Sequence, residues 1–159
     1  MSGRAAPLRV GLIADTHGLL RPEALSALEG VEHIVHAGDV GRPEVLERLW
    51  SLAPVTAVRG NVDRGAWAER LPSTAQVELG GAWFHVLHAL DDLDLDPRGA
   101  GFDVVVHGHT HRPDLREERG VWFVNPGSAG PRRFRLPVSL AVAEVGPAGL
   151  QVSWVELER

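Results

Sequence analysis

Five short segments carry side chains able to grip a pair of divalent cations. They are Asp15-Thr16-His17-Gly18, Gly38-Asp39, Gly60-Asn61-Val62-Asp63, His88, and Gly108-His109-Thr110-His111. Each lies just past a run of apolar residues that reads as a buried strand. Strands aligned in one sheet end along a common edge, so groups distant in sequence can meet there. Oxygen and nitrogen donors gathered in this way point to metal-dependent hydrolysis.

The chemistry of each segment fits that reading. Asp15 and His17 are two residues apart, so in extended backbone they share one side and can hold one ion together. The carboxylate of Asp39 has two oxygens and can bridge two cations. Asn61 offers a neutral carboxamide oxygen, and His88 closes the apolar run Trp83-Phe84-His85-Val86-Leu87. His109 and His111, between Gly108 and Pro113, are the strongest single signal, because two imidazoles one residue apart on a loop have little structural use. Taken singly, Asp15, Asp39 and Asn61 would read as turn residues and His88 as a structural histidine; their common placement at strand ends distinguishes them. Two carboxylates cancel half the charge of two divalent ions, and a bridging hydroxide cancels one more. The remainder is positive and attracts a phosphate ester. Mixed oxygen and nitrogen donors without sulfur suit Mn²⁺, Fe, Ni²⁺ or Zn²⁺ better than Ca²⁺.

The elements that must position these groups follow from periodicity and punctuation. Leu8–Ala14, His33–Ala37 and Val55–Val58 read as strands. Helices open between them at Pro22 and Pro43, proline being favoured at a first helical position. This β-α-β-α-β order predicts a parallel sheet. The second half reads as hairpins: Ala75–Leu79 with Ala82–Leu87 across Gly80-Gly81, Leu115–Glu118 with Val121–Val124, and Val138–Val145 with Leu150–Leu157. Asp103–Val106 is a further strand. The sheet content exceeds one open sheet, so two packed sheets with helices outside are expected, formed by a single domain over 1–159.

Composition narrows the chemistry. The 159 residues contain no Cys, Lys or Tyr, and all sixteen basic side chains are Arg. Thiolate nucleophiles, Cys-bound zinc, Schiff-base lysines and Lys-dependent phosphate loops are therefore excluded. A net charge of −5 without a basic block gives no sign of a stable nucleic-acid partner. No apolar run reaches the roughly 20 residues of a membrane span, and the lack of cysteine suits a reducing compartment; a cytoplasmic protein is expected.

The order Asp-x-His, Gly-Asp, Gly-Asn-x-Asp, His, Gly-His-x-His, followed by Asn125-Pro126-Gly127-Ser128, resembles the calcineurin-like metallophosphoesterases. It is closest to their small, single-domain bacterial and archaeal phosphodiesterase branch. The match runs from about Val10 to Arg133. The resemblance implies an α/β fold, a four-layer α-β-β-α sandwich of two mixed sheets flanked by helices. It also implies two divalent transition-metal ions, manganese foremost, with nickel, iron or zinc as substitutes. Asp15, His17 and His111 would hold one ion, Asn61, His88 and His109 the other, and Asp39 would bridge. Asp39, Asn61 and His88 are the residues expected to be catalytic. Two departures stand out: Val62 occupies the place where larger relatives carry a histidine acid, and Ala89 follows His88 where glycine is usual.

The expected activity is hydrolysis of small, possibly nucleotide-derived phosphodiesters by a bridging hydroxide. A phosphomonoesterase with the same centre is the near alternative. A non-catalytic scaffold is the distant one, since a retromer subunit resembles this fold and serves protein assembly. A homo-oligomer is compatible with the sequence. His36 and His107 read as packing residues, Asp91, Asp92, Asp94 and Asp96 as a solvated loop, and the five tryptophans as core or interface. Arg132, Arg133 and Arg135 read equally as phosphate-gripping groups or as a solvated basic loop.

Overall fold

The computed structural model describes residues 7–158. The first half alternates strand and helix: β1 (Leu8–Ile13), α1 (Pro22–Ala27), β2 (His33–His36), α2 (Pro43–Trp50), β3 (Val55–Ala57) and α3 (Ala66–Glu69). The second half is mostly strand: β4 (Thr74–Leu79), β5 (Ala82–Leu87), β6 (Val104–Val106), β7 (Asp114–Glu118), β8 (Val121–Asn125), β9 (Val138–Gly146) and β10 (Gly149–Glu158). These form two five-stranded sheets, ordered β10-β9-β1-β2-β3 and β4-β5-β6-β8-β7.

Both sheets are mixed. β1, β2 and β3 run parallel in the first, and β5, β6 and β8 run parallel in the second. Each sheet therefore has a parallel trio, at one edge in the first sheet and central in the second, whose carboxyl ends point the same way. Parallel strands are buried on both faces and so read as unbroken apolar runs. Val10, Leu12, Val35 and Val58 face Phe84, Val86, Val104 and Val106 across the sandwich. Ile13 and Ile34 face outward onto Ala24, Leu28, Val45 and Leu49 of the helical layer. Both longer helices begin with proline in the first turn followed by Glu23 or Glu44, which favours the positive end of the helix dipole. The Gly80-Gly81 hairpin has positive φ at both residues, 61° and 86°, the geometry of a type I′ turn.

The two-sheet sandwich matches expectation, with one asymmetry. Helices cover the first sheet, whereas a single 3-10 turn at Leu90–Asp92 and the loop after it cover Leu87, Val105, Val121 and Phe123 of the second. The short helix α3 was not expected from sequence. Trp67, Trp122 and Trp154 are partly buried and pack against the core, as expected, whereas Trp50 and Trp83 are exposed. Among the described residues, no helix is long and apolar enough to cross a membrane.

Candidate metal centre

The loops that leave the six parallel strands meet at one end of the sandwich. Asp15 and His17 follow β1, Asp39 follows β2, Asn61 follows β3, His88 follows β5, and His109 and His111 follow β6. Ligand sites at the carboxyl ends of parallel strands are a general property of such sheets. Here the two sheets are stitched together at that end. Asp15 N–H donates to the Gly38 carbonyl at 3.0 Å and His17 N–H to Asp39 O at 2.9 Å. Across the sheets, His109 N–H donates to Asp15 Oδ2 at 3.1 Å and His88 Nδ1 lies 2.8 Å from Ala37 O.

Five side chains converge. Asp15 Oδ1 lies 3.8 Å from His17 Nε2, 3.5 Å from His111 Nε2 and 3.9 Å from His88 Nε2. Asp39 Oδ2 lies 3.2 Å from His88 Nε2 and 3.5 Å from His17 Nε2. Two overlapping groups, Asp15/His17/His111 and Asp15/Asp39/His88, each bring their donor atoms within 4.8 Å of one another. The other two sequence candidates lie at the rim and are exposed. The His109 ring sits edge-on to His88, with centroids 5.2 Å apart. Asn61 is flanked by Gly60 and by Val62, whose N–H donates to Asp39 Oδ1 at 3.0 Å.

The donor atoms fit a cation better than they fit one another. Asp15 Oδ1, His17 Nε2 and His88 Nε2 are buried and have no hydrogen-bond partner, a condition that costs about 1–3 kcal/mol per group. A carbonyl only accepts, so Ala37 O holds a proton on His88 Nδ1 and turns Nε2 toward the carboxylates. Against burial, Asp39, Ala37 O and Asp15 raise the His88 pKa above the usual imidazole value, so Nε2 is drawn to a proton or a cation. Converging, unsatisfied lone pairs are what a metal ion would satisfy.

The calcineurin-like phosphoesterase superfamily domain model matches residues 8–147. The chain belongs to that superfamily. A probable metallophosphoesterase of Methanothermobacter thermautotrophicus is 37% identical over 135 residues, covering 75% of this chain and 76% of that protein. Among solved structures, an archaeal phosphodiesterase superposes with a TM-score of 0.79 at 23% identity, over 94% of this chain and 99% of that one. Vps29 of Entamoeba histolytica, solved with zinc, superposes with a TM-score of 0.74 at 20% identity, over 94% and 99%.

In this superfamily member the site is electrostatically divided. Burial, reinforced by neighbouring Asp39, pushes the Asp15 carboxyl up to about 7 against the attraction of His88. Burial also opposes ionisation of Asp39, but contact with His88 and the Val62 N–H outweighs it and holds the carboxyl down at about 2. Burial depresses His111 to about 4, with Arg133 adding to the effect, and lowers His17 as well. Protons and cations compete for the same lone pairs here.

Backbone strain is concentrated in the candidate site. Seven described non-glycine residues have positive φ, and five of them are Asp15, His17, Asp39, His109 and His111. Such conformations cost of order 1 kcal/mol each and persist where the surroundings enforce them. Gly38, at φ 100°, shows one such constraint: a Cβ there would stand 2.7 Å from His88 Nδ1.

Several supporting residues have roles that sequence reasoning did not assign. Asp63 is buried and accepts from three backbone N–H groups: Val40 at 3.1 Å, Gly41 at 2.8 Å and Gly60 at 2.9 Å. It ties the loop after β3 to the loop bearing Asp39. The Gly-Asn-x-Asp spacing was its only signal. Asp63→Ala should cost about 3 kcal/mol, because three donors lose a charged acceptor; urea unfolding of the metal-free protein measures it, and a change within ~0.5 kcal/mol would refute the role. His36 is fully buried and more than a packing residue. Its Nδ1 accepts from Gly38 N–H at 3.1 Å, and its Nε2 lies 3.0 Å from Thr16 Oγ1, which itself donates to Val40 O. His36 thus joins the loops after β1 and β2 as a neutral ring; burial depresses it to about 3. Asn125 donates to Gly108 O and Thr110 Oγ1, and Ser128 Oγ donates to Asp15 O, so the Asn-Pro-Gly-Ser turn braces the ligand loops. His107 makes no such link; both its ring nitrogens are buried without a partner. The four acidic residues 91–96 are exposed, as a solvated loop would be.

Proposed function

We propose that this chain is a metal-dependent phosphodiesterase built on a dinuclear centre. Asp15, His17 and His111 would hold one ion, Asn61, His88 and His109 the second, and Asp39 both, with Mn²⁺ the first choice of metal. The observation that carries the reading is the group of unsatisfied, converging donors on Asp15, His17 and His88. When bound, such a pair of ions supplies a nucleophilic hydroxide at neutral pH and neutralises charge on the phosphoryl oxygens.

The chain's own residues then have separable tasks. Asp39, held ionised, keeps a negative charge between the two donor groups. The Ala37 carbonyl keeps His88 in the tautomer that presents Nε2. Val62 stands where a histidine acid would otherwise face the leaving group, so proton delivery is left to solvent or to the leaving group's own acidity. That arrangement suits a diester with a good leaving group. The named activity of the archaeal structural neighbour supports the diester reading. The intact donor set argues against a scaffold role of the kind considered for the retromer-like fold. The same reading takes residues 1–159 as one domain and, with no cysteine present, a cytoplasmic setting.

The test is direct. Protein stripped of metal and reloaded with Mn²⁺ should hydrolyse bis(p-nitrophenyl) phosphate faster than p-nitrophenyl phosphate. Turnover of neither would defeat the hydrolase reading, and a preference for the monoester would move the chain to the phosphomonoesterases.

A further inference from the structure

Three of the five exposed large hydrophobic side chains stand on loops around the candidate metal centre. Leu19 (41% exposed) is two residues past His17, Val62 (45%) is next to Asn61, and Phe134 (91%) is next to Arg133. Phe134 also has a left-handed backbone, φ 53°. It shares a cavity of about 450 Å³ with Arg112, Arg135 and Leu136, a volume within the range of small-molecule sites.

One lining residue, Arg112, joins that cavity to the loop of the candidate metal centre. Arg112 directly follows His111, and Arg133 lies near enough to act on Asp15, His17 and His111. Among the described residues, the guanidinium groups of Arg112, Arg133 and Arg135 have neither an ion pair nor a hydrogen bond. Unpaired guanidinium groups beside an exposed aromatic ring suit an anion attached to a flat ring, the former through forked hydrogen bonds and the latter by stacking. A bare phosphate ester would have no use for the ring.

Resting on the phosphodiesterase reading, we propose that the substrate is a nucleotidyl diester: its base stacks on Phe134 and a second phosphate, next to the scissile one, is held by Arg112 and Arg135. Phe134 is then a specificity residue, and a short nucleotide chain should be preferred to a simple alkyl diester.

Binding and turnover test this separately. Calorimetry with thymidine 3′,5′-bisphosphate on Mn²⁺-loaded protein should show affinity about 10-fold weaker in Phe134→Ala and restored in Phe134→Trp. Arg135→Ala should weaken binding by a similar factor and flatten its dependence on salt. In turnover, the ratio of kcat/KM for the thymidine 5′ p-nitrophenyl diester over the methyl p-nitrophenyl diester should fall about 10-fold in Phe134→Ala. Phe134→Ala and Arg135→Ala binding as tightly as the parent chain, or an unchanged kcat/KM ratio, overturns the proposal. Hydrolysis of bis(p-nitrophenyl) phosphate reports on the hydrolase reading alone, so its failure is distinguishable from failure of the nucleotide seat.

Discussion

Asp39→Ala should lose both cations and lower kcat by about 10³-fold or more. The carboxylate belongs to one donor group with Asp15 and His88 and lies 3.5 Å from His17 of the other. Its removal also leaves His88 facing Asp15 alone across 3.9 Å. His88→Ala should behave differently, losing mainly one ion, because His88 contributes a single Nε2. Elemental analysis of the two purified variants, beside a diester assay, separates these outcomes. Two retained equivalents of metal and normal turnover in Asp39→Ala would exclude Asp39 as a bridge.

Asp15→Asn should have the opposite effect on the metal-free fold. The Asp15 carboxyl is raised from 3.8 to about 7, first by burial and then by Asp39. The folded state therefore holds a proton that the unfolded chain has released. Asp15 favours folding fully below pH 3.8, and that contribution is lost as pH rises to about 7. At ~1.36 kcal/mol per unit, the loss amounts to about 4 kcal/mol by pH 8. Asparagine is nearly isosteric, stays neutral, and can still accept the His109 N–H bond. The metal-free variant should therefore be more stable than its parent at pH 8 and similar near pH 4. Its metal affinity should fall by orders of magnitude. Denaturant melts at both pH values measure the difference, and a gap independent of pH would refute the assignment. His36 and His107, neutral when buried, titrate in the other direction and stabilise as pH rises towards 6.5; they cancel in the comparison of variant with parent.

The strands were legible because their physics is local. Val10–Ile13 and Val104–Val106 are buried without a break, the mark of strands covered on both faces, and Gly80-Gly81 announces its own hairpin. The elements that escaped notice are short. Helix α3 has four residues and no room for a helical period, and the Leu90–Asp92 turn lies in an acidic stretch that reads as loop. The candidate donors could be named from spacing at strand ends. Their backbone could not, because nothing in the letters Asp or His marks a left-handed φ when tertiary contacts impose it. The bracing by Asp63 and His36 was equally hidden: each acts on loops brought near only by the parallel pairing of β1, β2 and β3.

The left-handed backbone at Asp15, His17, Asp39, His109 and His111 sets a direction for drift. Glycine adopts that conformation without the steric penalty, so a gene copy freed from its chemistry would become easier to fold as it lost these donors. Disarmament is downhill for such a lineage. An intact set of carboxylates and imidazoles is therefore what selection for metal binding would have to maintain.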